Sequence, residues 1–227
     1  MEAIKRADGT WDVTGLPPWL ETFDTMLEFL ERKVPFKFAR YGDGEINCIN
    51  GKPGHNCDHH NYYSDLGLAL HNATQRARYM VGIQPLSISQ RLNLDIFHGL
   101  DLYNADVLHN ASIRKRLPDF VQAMKHRFVV LVGPRHLKKL PFYHLHIEIP
   151  TLNCWLKYEE ICGEIETLVT QNVIRHESIV FILCASMMSE VIIDRFRDSA
   201  CTFIDAGSVF DPYAGVKSRR YHYALTI

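Results

Sequence analysis

The densest chemistry in this 227-residue chain is the run Arg40-Tyr41-Gly42-Asp43-Gly44-Glu45. Asp43 and Glu45 are two hard oxygen donors two positions apart, a set suited to Mg²⁺ or Mn²⁺ held against a diphosphate. Gly42 and Gly44 permit a tight turn and close approach of backbone N–H groups to a ligand, and Arg40 supplies a guanidinium for phosphate or carboxylate. The same letters also spell an ordinary Gly-Asp-Gly turn with solvated acids. Further along, Asp205 precedes Ala206-Gly207-Ser208 and is a candidate for orienting a sugar or accepting a hydroxyl proton; a turn or helix-cap role competes with it. Gly133, in Gly133-Pro134-Arg135, and Ser186 each follow an expected strand and are second-rank donor contacts, with strand-to-helix punctuation as the alternative.

Other clusters carry weaker chemistry. The stretch His55-Asn56-Cys57-Asp58-His59-His60 offers conceivable Zn²⁺ ligands, but its spacing is not that of a structural zinc site, and a loop flanking the donor site is the better reading. His144, His146 and Glu148 alternate, so on a strand they share a face. A polar strand face accounts for them more simply than a metal triad. Asn153, Tyr158 and Glu159 open an expected helix, where donor recognition competes with capping. Lys217-Ser218-Arg219-Arg220 reads as a solvated basic surface or as a contact to a phosphorylated donor or nucleic-acid acceptor.

The elements that must position these residues alternate between short β-branched or aromatic runs and stretches of helical period, the pattern of an α/β domain with a mainly parallel sheet. Strands are expected at 36–41, 79–83, 105–109, 127–132, 144–149, 178–184 and 201–205. Helices are expected at 18–32, 64–78, 112–125, 153–171 and 186–197. Residues 51–61 and those after Asp205 have loop composition. In such a sheet ligands sit beyond the carboxyl ends of the strands, where the strand order reverses.

Composition bounds the rest. Hydrophobic residues make up 47% of the chain and the formal charge is −1, so one core-forming domain is expected at 17–227 after an N-terminal extension at 1–16. Near-neutral charge weighs against a nucleic-acid partner. The longest apolar run, about 179–185, is far below the roughly 20 residues of a membrane span. The first ten residues lack the apolar stretch of a secretory signal, so a cytoplasmic protein with six mostly reduced cysteines is expected. There is no Gly-x-x-x-x-Gly-Lys-Ser/Thr loop, no third glycine after Gly42-x-Gly44, no Gly-x-Ser-x-Gly and no His-Glu-x-x-His.

The Arg-x-Gly-Asp-Gly-Glu element after a helix and strand resembles the signature of the GT-D-type bacterial glycosyltransferases, first recognised as a domain of unknown function. The likeness continues through 104–113, Val130-Leu131-Val132-Gly133, Ile149-Pro150-Thr151-Leu152-Asn153-Cys154-Trp155, Tyr158-Glu159-Glu160 and Phe203-Ile204-Asp205-Ala206-Gly207-Ser208, in order, and spans most of 17–213. It implies a Rossmann-like sheet with helices on both faces, and a Mn²⁺ or Mg²⁺ ion with a nucleoside diphosphate held by Asp43 and Glu45. It also implies a nucleotide-sugar donor, most simply a UDP-sugar, and donor contacts at Asn153 and Tyr158. A glycan, a glycoprotein or a modified nucleic-acid base would accept the sugar. Where the family tends to have a glycine-containing turn, this chain has Ala185-Ser186-Met187-Met188. The alternatives are a metal-dependent phosphohydrolase using the same carboxylates and a noncatalytic nucleotide-binding protein.

Overall fold

The computed structural model describes residues 1–90, 92–170 and 178–225. In chain order the elements are β1 (Ala3–Lys5), β2 (Trp11–Val13), α1 (Trp19–Glu31), β3 (Lys37–Tyr41), α2 (Asp43–Ile49), α3 (Ser64–Arg76), β4 (Met80–Ile83) and α4 (Pro85–Ser89). They continue with β5 (Leu102–Asn104), α5 (Val107–Ile113), α6 (Leu117–Ala123), β6 (Phe128–Pro134), β7 (Leu145–Ile149), α7 (Tyr158–Thr170), β8 (Ile179–Leu183), α8 (Ser189–Arg195) and β9 (Thr202–Asp205). Seven strands form one sheet in the order β5-β4-β3-β9-β8-β6-β7, and every neighbouring pair is parallel. From β3 the chain winds outward through β4 to β5, then restarts on the other side, so the order reverses beside β3 and β9.

Both faces of the sheet are covered, and its central strands therefore read as unbroken apolar runs. Along β8, Ile179, Phe181 and Leu183 face one core with residues of α2, α3, α7 and α8, while Val180 and Ile182 face the other with α1, α5 and α6. The helix α1 shows how the pattern is built. Trp19, Phe23, Met26 and Leu30 recur on one stripe and are all buried, each contributing about 1.5–3 kcal/mol.

Residues 1–16 carry the β1–β2 hairpin, which is tied to the domain by Asn110: its Oδ1 accepts from the Trp11 N–H at 2.9 Å and its Nδ2 donates to the Trp11 carbonyl at 2.7 Å. The strand expected at 105–109 lies instead at Leu102–Asn104, and α5 begins at Val107. Asn104 Oδ1 accepts the Asp106 N–H at 2.8 Å and turns the chain, while Val107, Leu108 and Ala111 supply a buried helical stripe. The helix expected at 112–125 is cut by Lys115, at φ 57°, into the end of α5 and α6. The helix expected from 153 opens with a single 3₁₀ turn behind Asn153, at φ 51°; its expected end at Gln171 lies outside the described residues.

Candidate active site at the switch point

The hydrogen-bond ladder of the sheet runs one residue past its strands and aligns the rim: the Gln84 N–H donates to the Tyr41 carbonyl (2.9 Å), Ala105 to Ile83 (3.1 Å) and Ala206 to Leu183 (2.8 Å). A cavity of about 120 Å³ opens there, at the carboxyl ends of β3, β4, β5, β8 and β9. Arg40, Gly42, Asp43, Gly44, Glu45, Ser186 and Asp205 all line it. The expected turn at Gly42 is in fact the start of α2, because Glu45 reaches back and its Oε2 accepts the Gly42 N–H at 2.7 Å. A side chain at Gly42 would bring its Cβ to 2.7 Å from Gln84 Oε1, and one at Gly44 would come to 3.1 Å from Asn56 Cβ. These glycines keep the rim open.

Two residues at the cavity are missed by sequence reasoning as site groups in their own right. Glu190, the second residue of α8, is 1% exposed and lies against Asp205, itself 4% exposed. The signal was a lone acid between Met187-Met188 and Val191-Ile192-Ile193, just after the most apolar strand. Gln84 is the other, placed by the turn after β4. Burial pushes the Glu190 carboxyl well up and raises Asp205 as well; Arg40 and the Gly207 N–H, which donates to Asp205 Oδ1 at 2.9 Å, oppose the rise at Asp205. Glu45 is pushed up to about 7, by burial first and by the charge of Asp205 among its neighbours. Arg40 faces these acids: its Nε is 3.8 Å from Asp205 Oδ2 and has no hydrogen-bond partner among the described residues. Gly207, at φ 52°, makes room for it, since a Cβ there would lie 2.7 Å from Arg40 Nη1.

Two long connections roof the cavity. Asn56 Nδ2 donates to Ser186 Oγ at 2.8 Å, while Asn56 Oδ1 accepts from the Asp58 and His60 N–H groups, both at 3.0 Å. From the tail, Arg219 grips both carboxylate oxygens of Asp58. Ser186 sits at φ 52°, a left-handed conformation that costs a serine free energy and suits glycine.

Three expected donor contacts lie elsewhere. Gly133 is buried in packing: a Cβ would meet Leu137 Cδ1 at 2.7 Å and Cys184 Cβ at 3.1 Å, and only its neighbour Pro134 reaches a groove. Asn153 Oδ1 accepts the Asn61 N–H at 2.9 Å and so ties the loop at 51–61 to the start of α7. Tyr158 packs on Trp155, ring centroids 4.7 Å apart, beneath the Arg195 guanidinium. The side chains of the histidine clusters are engaged in separate contacts: His60 is buried near Cys154 Sγ at 3.7 Å, His144 Nδ1 accepts the Val129 N–H at 3.2 Å, and Glu148 pairs with Lys138 at 2.6 Å.

Among the described residues no three His, Cys, Asp or Glu side chains are grouped to hold a metal ion. A pair is still the donor set of a Mg²⁺-type site, in which one or two carboxylates share the ion with substrate phosphates and water. Asp43 and Glu45 fit that requirement, with one Glu45 oxygen committed to the Gly42 N–H. Among the described residues the cavity is lined by Asp43, Glu45, Asp58, Glu190 and Asp205 against Arg40 and Arg219, a surplus of carboxyls that a divalent cation relieves.

An all-parallel sheet with helices on both faces and an acidic cavity at its switch point defines the class: a doubly wound α/β fold. Solved structures narrow it to the glycosyltransferase fold. The chain is similar to a structure described as a new glycosyltransferase (DUF1792) from Streptococcus sanguinis, with 13% identity, TM-score 0.62, and coverage of 84% of this chain and 81% of that one. A second, of the highly conserved domain of unknown function 1792, described as having a distinct glycosyltransferase fold, matches at 14% identity and TM-score 0.61 over 84% of this chain and 78% of that one. No protein-family model and no curated protein matches the sequence. No helix among the described residues is long and apolar enough to cross a membrane.

Proposed function

We propose that this chain is a glycosyltransferase that takes a nucleotide sugar, a UDP-sugar in the simplest case, and passes the sugar to a hydroxyl of a glycan or glycoprotein. The observation that carries the reading is the convergence of Asp43, Glu45, Arg40 and Asp205 on one cavity at the reversal point of a glycosyltransferase-fold sheet. Asp43 and Glu45 would hold Mn²⁺ or Mg²⁺, which when bound neutralises the diphosphate that leaves as the sugar bond breaks. Arg40 places a fixed positive charge at the cavity floor, where developing negative charge is stabilised without reorganisation.

Asp205 is held by the Gly207 N–H and by Arg40, and burial raises its carboxyl from the ordinary aspartate value. It orients the sugar or takes the acceptor proton. Burial disfavours a charge on Glu190, which lies against Asp205 and helps to hold that side chain in place. Residues 56–58 and Arg219 border the cavity from above.

Incubation with a panel of nucleotide sugars and Mn²⁺, with measurement of released nucleotide, tests the proposal. Release of intact nucleoside diphosphate that Asp43→Ala abolishes supports it. Release of inorganic phosphate instead would mark a phosphohydrolase, and binding of UDP with metal but no turnover on any donor and acceptor pair would mark a noncatalytic sensor.

A further inference from the structure

The catalytic cavity, at about 120 Å³, is well below the roughly 300 Å³ at which small-molecule sites begin. A groove of about 410 Å³ lies directly beside it, lined among others by His60, Pro134, His136, Thr151 and Ser218. Six residues belong to both spaces: Cys57, Asp58, Ser186, Gly207, Ser208 and Arg219. The ion pair of Arg219 with Asp58 is thus part of the boundary between the two. Neither partner stands on a strand or α-helix; one comes from the loop after α2 and the other from the tail after β9. Among the described residues it is the one ion pair that joins those two segments.

The geometry of that pair is the fork-to-carboxylate arrangement by which arginine also grips phosphate. Its neighbours prepare the guanidinium for an anion. The Arg219 N–H is anchored on His222 Nδ1 at 3.2 Å, and Ser218 is fixed by Asp211, which His136 holds in turn at 2.8 Å. The tail thus has its own scaffold and does not depend on Asp58 for its course. Asp58 is placed independently too, through its N–H on Asn56 Oδ1.

We infer that Arg219 is the residue that grips the diphosphate of the donor, and that Asp58 occupies its guanidinium in the unliganded chain as an internal stand-in for phosphate. When the donor enters, Arg219 exchanges the carboxylate for phosphate oxygens, the pair parts, and cavity and groove become one space long enough for the nucleotide and its sugar. The exchange makes the closed roof conditional on the ligand. The inference rests on the nucleotide-sugar reading above, and names a diphosphate-binding residue for it.

Calorimetric titration with inorganic pyrophosphate in excess Mn²⁺ at fixed ionic strength, on wild type, Asp58→Asn, Arg219→Gln, Arg219→Lys and the Asp58→Asn/Arg219→Gln double variant, tests it. Removing the competing carboxylate is expected to tighten binding about tenfold or more, the scale of coupling between close, partly buried charges. Arg219→Gln should weaken it at least tenfold, and Arg219→Lys should fall between, having charge without the fork. In the Arg219→Gln background, Asp58→Asn should bring no gain; a gain that needs Arg219 is a result a merely structural pair would not give. Unchanged or weaker binding by Asp58→Asn, or a gain that survives loss of Arg219, overturns the inference. Should Asp58→Asn fail to fold, equal pyrophosphate affinity of wild type and Arg219→Lys would overturn it. Donor turnover is scored separately: an intact pyrophosphate cycle without turnover of any nucleotide sugar counts against the functional reading alone, and turnover without the cycle counts against this inference alone.

Discussion

Replacing Glu45 by glutamine should stabilise the metal-free protein at alkaline pH and leave it unchanged near pH 4.5. In the folded chain the Glu45 carboxyl is raised from 4.5 to about 7, chiefly because burial disfavours its charged form. The folded state therefore binds a proton that the unfolded state has released between those values. Stability from this group is fully present below pH 4.5, falls as the pH rises through about 7, and stays lost above it. At 1.36 kcal/mol per pH unit, the difference between 4.5 and about 7 amounts to about 3 kcal/mol. Glutamine is neutral throughout and retains a carbonyl oxygen to accept the Gly42 N–H, so the start of α2 survives the change. Urea unfolding of both proteins in EDTA, from pH 4.5 to 8.5, should give a stability difference that grows from near zero to about 3 kcal/mol in favour of Glu45→Gln. A difference independent of pH, or a glutamine variant less stable at pH 8, would refute the argument that Glu45 is held against its charge.

Gly207→Ala forces an alanine to φ 52° at a cost of about 1–2 kcal/mol and drives its Cβ against Arg40, so thermal denaturation should shift down by about 2–8 °C and nucleotide affinity should drop. Arg40 displaced by that methyl should leave Asp205 less well paired, which a shift of the pH–rate profile toward higher pH would register. Glu190→Gln should hold stability within about 1 kcal/mol, because a neutral donor still faces Asp205, whereas Glu190→Ala should lose about 2–4 kcal/mol through the cavity and the unsatisfied carboxylate. Equal unfolding free energies for the two variants would contradict a protonated Glu190. Gly133→Ala should destabilise through Leu137 and Cys184 while leaving the KM for the donor unchanged, and a raised KM would return Gly133 to the donor site.

The sheet was largely legible because parallel strands buried on both faces must be apolar throughout. Ile179 to Leu183 and Val129 to Val132 announce themselves, and Asp43 and Glu45 are found by standing just beyond such a strand. Position at a strand end does not say which way a side chain turns, however. Gly133, Asn153 and Tyr158 stand at carboxyl ends of the same sheet, yet packing against Leu137, the tie to Asn61 and the stack on Trp155 direct them elsewhere. The 105–109 segment misled for a related reason: Val107 and Leu108 suit a strand locally, and only Asn104 bonding Asp106 and the burial of Ala111 decide for a helix. Glu190 escaped because an acid in an apolar helix gains meaning only once Asp205 and Glu45 are beside it. Asp58 and Arg219, 161 residues apart, meet only in three dimensions.

In the proposed function, Asp43 and Glu45 hold the ion that meets the donor diphosphate. A crystal grown with Mn²⁺ and UDP, measured for manganese anomalous scattering, tests it most directly. The expected result is a manganese peak within coordination distance of a carboxylate oxygen of Asp43 and one of Glu45, with the diphosphate completing its shell beneath Arg219. A peak away from that pair, or UDP bound elsewhere with the pair empty, would contradict it.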